Sequence, residues 1–165
     1  MIIREIKRED AELLVMLINQ VESESEFLLF ESGERKLTVE QQEKRIEMMK
    51  QEGNSSILVA EENSELIGYL ISMGGQARRN RHTVYLVIGI KAEYRGQGVG
   101  SKLFECLEEW AKEQQIHRLE LTVVTLNVAG IRLYQNMGFE IEGTKRNSLC
   151  IDGTYVDEYY MSKLL

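Results

Sequence analysis

The sequence predicts an α/β domain (α+β in its order of elements) with a mixed central sheet of about seven strands, flanked by about four helices. Two observations carry this prediction. An apolar strand beginning near Val84 runs into a glycine-rich turn, a helix and a further strand over residues 118–124, which is the order of a parallel strand–helix–strand unit. Hairpin patterns flank that unit, at residues 56–72 and at Asp152-Gly153.

The first third of the chain reads as one strand and two helices. Residues 2–7 alternate enough to predict a strand, and Asp10 is placed to cap the helix that follows. Thr38 and Gln41 form a capping-box pattern for a second helix. This helix ends near Gln51, before Gly53 and Asn54. The apolar face of the first helix is predicted to carry Leu13, Leu14, Leu17, Ile18 and Val21.

The remaining elements follow the same reasoning. Residues 56–61 and 66–72 predict an antiparallel hairpin. Asn127 can cap a short helix that runs through Tyr134 and closes at Gly138, before a strand from Phe139 onward. The helix after the glycine turn has an apolar stripe at helical spacing, made of Val99, Leu103, Cys106, Leu107 and Trp110.

The segment ESESEFLLFESGERK, residues 22–36, shows neither a helical nor a strand period, so a shaped loop or a broken helix is expected. Two interpretations stay open. The segment is either a solvated linker with an apolar plug, or an acidic wall that binds the acceptor of a reaction. The wall would consist of Glu22, Glu24, Glu26 and Glu31.

Composition bounds the class of protein. The 165 residues, with no proline and no low-complexity segment, predict one domain over residues 1–165. Twenty Lys and Arg against 27 Asp and Glu give a net charge of −7, which argues against nucleic acid or an anionic membrane as the main partner. An amine-bearing partner fits this charge, although many soluble enzymes are mildly acidic for solubility alone. The charged N-terminus shows no signal peptide or membrane span, so a cytoplasmic location is expected.

The cysteines and histidines give little chemistry. Cys106 and Cys150 lie in contexts that predict core thiols in a reducing compartment. His82 and His117 have no second ligand at metal-binding spacing, so no metal site is predicted.

The glycine turn predicts a phosphate cradle. Gly96, Gly98 and Gly100 allow successive N–H groups to converge on an anion at a helix N-terminus, and Arg95 adds a cationic donor. The dinucleotide pattern G-x-G-x-x-G fails because its third glycine would be Ser101, and the triphosphate loop fails because no Gly-Lys-Ser/Thr occurs here. An ordinary strand-to-helix turn remains the alternative.

The ordered set of strand, R-x-x-G-x-G, helix, strand and N-x6-Y-x3-G-F resembles the GNAT superfamily of N-acetyltransferases. The C-terminal run resembles the branch that contains ribosomal-protein N-terminal and polyamine acetyltransferases. The resemblance implies two splayed central parallel strands, acetyl-CoA as cosubstrate and Tyr134 as the acid that protonates the leaving thiolate. It also implies a set of coenzyme-binding residues: Val87, Ile88, Gly89, Ile90, Arg95, Gly96, Gln97, Gly98, Val99, Gly100, Ser101 and Asn127.

Two site details remain open. Gly89 suits a bulge or a close backbone approach in its strand. The central strand carries no carboxylate where many relatives have a glutamate, so the general base stays unassigned. Depressed amine pKa values or a water relay would serve, and Glu26, Glu31 and His82 are the side-chain candidates. For Tyr134, packing of its ring on the sheet is the alternative to the acid role.

The resemblance implies an acetyl-CoA-dependent transfer of an acetyl group to a primary amine, on a small molecule or on a protein or peptide N-terminus. A non-catalytic acyl-CoA-binding or sensor module is the alternative. Dimerisation is an expectation from the family. Neither the acceptor nor the acyl chain length is decided by any residue pattern.

Overall fold

The computed structural model describes residues 1–165 and contains one seven-stranded sheet and four α-helices. The strands are β1 (Ile2–Glu5), β2 (Ser56–Glu62), β3 (Glu65–Gly74), β4 (Thr83–Ile90), β5 (Arg118–Val124), β6 (Glu140–Ile151) and β7 (Thr154–Leu164). The helices are α1 (Ala11–Ser23), α2 (Val39–Glu52), α3 (Val99–Glu113) and α4 (Val128–Asn136). The strand order β1-β2-β3-β4-β5-β7-β6 confirms the predicted mixed sheet.

The centre of the sheet opens between β4 and β5, its parallel pair. These strands pair only from Thr83 to Tyr85 on β4, opposite Arg118 to Glu120 on β5. Beyond Tyr85 the pairing stops, while β3 still pairs with β4 as far as Ile90 and β7 pairs along all of β5. The splay that the resemblance implied is therefore present, and the second half of β4 has an open edge.

Helices cover the two faces of the sheet unequally. One face packs on α3 and α4 through a core that includes Leu103, Phe104 and Leu107. The other face packs on α1 and α2, which contact β2, β3 and β4. Strand alternation directs the polar side chains of β5 and β7 to this second face, beyond α1 and α2. A cleft floored by the sheet results.

The start of α1 differs from the prediction. The Asp10 side chain does not cap α1; it accepts from the Lys7 N–H at 2.8 Å and from the Arg4 guanidinium at 2.6 and 3.0 Å. In α1 the residues that face the core are Leu14 and those three, four and seven positions after it. Leu13 lies outside this face and is 41% exposed.

Local signals elsewhere are confirmed. The Thr38 hydroxyl accepts from the Gln41 N–H at 3.2 Å, and Gly53 ends α2 with φ +75°. The Asp152-Gly153 turn has φ values of 49° and 77°, as a type I′ hairpin requires. The prediction for Cys150 was wrong: this residue is exposed because β6 is the edge strand, whereas Cys106 packs against the core. The structure has no helix whose length and apolar character would let it cross a membrane.

Candidate active site

The turn between β4 and α3 has the geometry of an anion cradle. Gly96 and Gly98 adopt left-handed conformations, with φ +72° and +81°, which residues with a Cβ adopt only with strain. The six successive N–H groups from Gly96 to Ser101 donate to no backbone or side-chain acceptor of the protein, since the first helical bond runs from Lys102 to Gly98. They form the positive end of α3. A diphosphate fits this donor set.

Two predicted members of the turn, Gly100 and Arg95, also make contacts with other parts of the protein. A Cβ on Gly100 would lie 2.7 Å from Leu133 Cδ2, so this glycine lets α4 approach α3 closely. The Arg95 guanidinium donates to the carbonyl of Ile90 at 3.0 Å and to the carbonyl of Glu24 at 3.3 Å. Arg95 thus links the turn to the segment that follows α1.

The open edge of β4 lies beside this turn. Its second half, Val87 to Ile90, pairs with β3 on one side and with no strand on the other. The predicted bulge at Gly89 is wrong, because the pairing with β3 runs through Gly89 without a register shift. The close approach is what the structure shows: a Cβ on Gly89 would lie 2.5 Å from the Tyr69 ring.

Asn127 stands at the end of β5, next to the gap. Its side-chain oxygen accepts from the Gly130 N–H at 3.0 Å and so caps α4, as predicted. The cap leaves the NH₂ group of Asn127 free to donate to a bound molecule.

Tyr134 lies on α4 with its ring in the core. Phe104 meets it edge to face, at 5.8 Å between ring centroids, and Phe139 packs at 6.2 Å. Burial, with a smaller contribution from Tyr85, raises the pKa of the Tyr134 phenol well above its usual value. The phenol is therefore neutral and a hydrogen-bond donor at any physiological pH. Ring packing and the proposed acid role are compatible, since packing holds the ring while the hydroxyl stays free of protein partners.

The second face of the sheet carries polar residues that sequence reasoning did not select. The Tyr85 hydroxyl hydrogen-bonds Thr122 Oγ1 at 2.7 Å, where β4 and β5 begin to separate. A cavity of about 290 Å³ adjoins this pair. It is lined by Tyr85, Arg118, Glu120, Leu121, Glu142, Tyr160 and Met161. The sequence feature that could have identified these residues is the alternation in RLELTVV, which puts Arg118, Glu120 and Thr122 on one face.

Both carboxylates of this cavity are hydrogen-bonded to Arg118. Both terminal nitrogens of Arg118 donate to Glu142 at 2.7 Å, and its Nε donates to Glu120 at 2.8 Å. Arg118, with help from Ser162, lowers the pKa of Glu142 to about 2. A carboxylate held in this way is a weak base, so Glu142 is not poised to deprotonate an amine.

The segment between α1 and α2 has the apolar plug of the first interpretation, because Leu28 packs against the core, but it does not form the acidic wall of the second. Glu22 is the last buried residue of α1 and pairs with Arg35, while Glu24 accepts from the Ala92 N–H at 2.7 Å beside the glycine turn. Glu26 and Glu31 are exposed. The segment is thus fastened at both ends with an exposed middle, and its acidic residues do not form one wall.

The remaining predicted candidate bases lie apart. His82 is exposed and precedes Thr83, at the opposite end of β4 from the glycine turn. No group of three or more His, Cys, Asp or Glu side chains is placed to hold a metal ion. What the structure brings together is the glycine turn, the open edge of β4, Asn127 and Tyr134.

Comparisons with known proteins agree with this geometry. The acetyltransferase (GNAT) family profile matches residues 19–139. A GNAT-family acetyltransferase from Streptococcus pneumoniae superposes with a TM-score of 0.95 at 35% identity, covering 99% of this chain and 98% of that one. A phosphinothricin acetyltransferase from Sinorhizobium meliloti, in complex with acetyl-CoA, has a TM-score of 0.86 at 19% identity, covering 99% and 88%; it shows the fold alone.

A curated relative adds sequence similarity. The L-amino acid N-acetyltransferase AaaT of Escherichia coli is 34% identical over 103 residues, which are 62% of this chain and 64% of that protein. The match therefore spans less than two thirds of the relative's length. The family profile, the Streptococcus pneumoniae structure and the arrangement of turn, gap and phenol lead to one assignment. This chain belongs to the GNAT family of acetyltransferases.

Proposed function

We propose that this protein transfers the acetyl group of acetyl-CoA to a primary amine by direct attack on the thioester. The observation that carries the proposal is that six unpartnered N–H groups follow the open edge of β4, and that the Tyr134 phenol lies near Tyr85 on the same strand. The N–H groups and the edge of β4 bind the coenzyme, and the phenol is directed to the reacting thioester.

Different groups of the protein bind different parts of the coenzyme. The N–H groups of residues 96–101 hold the pyrophosphate, with the helix dipole of α3 behind them. The free backbone groups of Val87 to Ile90 pair with the pantetheine arm as an added strand would. The free amide of Asn127 donates from the other side of the gap.

The reaction needs a neutral amine and a stabilised leaving group. The amine nitrogen attacks the thioester carbonyl carbon, the N–C bond forms and the C–S bond breaks, and the amine proton leaves. A backbone N–H near Gly89 polarises the carbonyl oxygen. The Tyr134 phenol, which its raised pKa keeps protonated, donates its hydrogen bond to the departing sulfur and acts as the acid of this step. The proton that leaves the amine balances the one that the thiolate takes up.

Deprotonation of the amine runs through water in the cleft. Glu120 and Glu142 are held by Arg118, and Glu26, Glu31 and His82 are exposed side chains with no geometry that directs them to the gap. The hydrogen-bonded Tyr85 and Thr122 hydroxyls lie where the strands separate, so they are placed to hold one end of a water chain.

The acceptor is a small amine. The name of the Escherichia coli relative, an L-amino acid N-acetyltransferase, supports this class. A protein or peptide N-terminus is the competing acceptor, and it remains in the test.

The test incubates the protein with acetyl-CoA and a panel of L-amino acids, polyamines and N-terminal peptides. Thiol release is followed together with the mass of the acetylated product. Release above the rate without acceptor, with a matching product of added acetyl mass, supports the proposal. Tight coenzyme binding by calorimetry with no product from any acceptor would establish the non-catalytic module instead.

A further inference from the structure

Two arginines, Arg35 and Arg45, lie on the α1–α2 side of the sheet near Tyr69, and we call them the basic wall. Arg35 follows α1 and Arg45 lies on α2. The Arg35 guanidinium pairs with buried Glu22 and stacks over the Phe30 ring at 4.2 Å. This side of the cleft takes no part in the coenzyme contacts proposed above.

The basic wall has one more positive charge than its partners neutralise. Arg45 is half-buried and forms no ion pair; its one polar contact is with Met73 Sδ at 3.8 Å, and sulfur is a weak acceptor. Glu22 is the one carboxylate paired with the wall. Burial, with a smaller contribution from Arg35, lowers the pKa of the Arg45 guanidinium, although arginine stays charged.

Unsatisfied polar atoms accompany this charge. One oxygen of Glu22 and the Nε of Arg35 are buried without a hydrogen-bond partner. Buried polar atoms are normally paired, and a cluster of exceptions calls for an explanation. Glu22 is only 3% exposed and its ion pair is with Arg35, so Arg45 is left without a carboxylate partner on this side.

The wall stands over the part of β4 that meets the gap. Met73, which Arg45 contacts, pairs directly with Tyr85, and Tyr69, which lies near both arginines and Glu22, pairs with Gly89. Tyr69, Met73 and the residues opposite them share the second face of the sheet. Arg45 therefore lies beside the proposed path of the attacking amine.

We propose that Arg45, supported by Arg35, binds a carboxylate of the acceptor, so that the acceptor is a small amino acid. This inference rests on the proposed acetyl transfer and narrows its acceptor. Guanidinium donors match a carboxylate in a forked geometry, and the half-buried position strengthens the pairing. A polyamine would be repelled by the wall, and the N-terminal residue of a peptide, which carries the amine, has its α-carboxyl group in a peptide bond.

The test compares each L-amino acid of the panel with its own amide. The amide has the lower amine pKa, hence more neutral amine, and would react faster if the carboxylate went unrecognised. We expect the opposite order, with kcat/KM for the amino acid about 10–100-fold above that for the amide, the range of a charged hydrogen bond. Amides that react as fast as the acids, or peptides that react faster, would overturn the proposal and leave acetyl transfer intact.

Substitutions test whether the preference for the amino acid over its amide depends on the basic wall. Arg45→Gln should lower kcat/KM for the amino acid about 10–100-fold, mostly through KM, and leave the amide unchanged. Arg79→Gln removes the same charge from the exposed loop between β3 and β4 and should change neither. Equal losses for acid and amide in Arg45→Gln would show a structural role only and reject the carboxylate site.

A binding measurement tests the same site if turnover is too slow to measure. Calorimetric titration of the preferred L-amino acid into protein saturated with coenzyme A should show binding that Arg45→Gln weakens about 10-fold or more and Arg79→Gln preserves. Thermal unfolding of both variants checks that they fold. Wild-type affinity in Arg45→Gln would remove Arg45 from acceptor recognition.

Discussion

On the α3–α4 face of the sheet, the proposed coenzyme contacts are backbone N–H groups from one continuous stretch, residues 96–101. On the α1–α2 face, the polar groups of the cleft are side chains from several elements far apart in sequence, among them Arg45 and Tyr85. The first half is specified by local conformation and the second by tertiary packing. A change in the first should therefore alter binding of the coenzyme, and a change in the second should alter use of the acceptor.

Tyr134→Phe should have the largest effect, because it removes the donor at the point where the two halves meet. We expect kcat to fall about 10²–10⁴-fold, the usual contribution of a general acid, with coenzyme affinity nearly unchanged. Tyr155→Phe is the matched control, since Tyr155 is 69% exposed at the β6–β7 hairpin. Steady-state kinetics and calorimetry measure the two effects, and an unchanged kcat would remove Tyr134 from the chemistry.

The pH profile of the wild type tests the same residue. A raised pKa means that Tyr134 stays protonated as pH increases, so kcat/KM should rise as the amine loses its proton and show no falling limb from Tyr134 below about pH 10. A falling limb near neutral pH that disappears in Tyr134→Phe would contradict the raised pKa.

Gly98→Ala should have the next largest effect, on coenzyme binding alone. With φ +81°, an added Cβ strains the turn and displaces N–H groups from the cradle, so we expect affinity to fall about 10–100-fold, equivalent to one charged hydrogen bond. Gly33→Ala imposes similar strain at φ +76° in the segment between α1 and α2, where a Cβ meets nothing within 4 Å. Calorimetry should show wild-type coenzyme affinity for Gly33→Ala. Equal losses in both variants would mean that the effect is not specific to the turn, and wild-type affinity in Gly98→Ala would mean that the turn holds no anion.

Gly89→Ala tests the boundary between the faces. Its Cβ would lie 2.5 Å from the Tyr69 ring, so overpacking should destabilise the protein by about 1–3 kcal/mol. Gly143→Ala, on an edge strand with nothing within 4 Å, should be close to neutral. Adding Tyr69→Leu to Gly89→Ala should recover part of the loss in denaturant unfolding, and strict additivity would show that the ring is not the obstacle.

The same contrast explains what sequence could predict. The glycine turn, Asn127 and Tyr134 lie at fixed spacings within a turn and one short helix, so their positions follow from local geometry. The Tyr85–Thr122 and Arg45–Met73 contacts join residues 37 and 28 positions apart, and no local pattern fixes such partners. The other four residues predicted for the apolar face of α1 are buried, whereas Leu13 lies about 100° around the helix from Leu14 and so falls outside that face.

Two helix caps, one on each side, give the smallest and most closely matched test. Thr38 caps α2, which carries Arg45, and Asn127 caps α4, which carries Tyr134. Each alanine substitution should cost about 0.5–2 kcal/mol of stability, because each leaves one helix N–H without its acceptor. Only Asn127→Ala should also weaken coenzyme binding, since only its amide group stands at the gap. Equal stability losses with unequal coenzyme affinities would separate the capping role from the binding role. Unchanged coenzyme affinity in Asn127→Ala would show that Asn127 is only a cap. The backbone groups of the turn and of β4 would then bind the coenzyme without it.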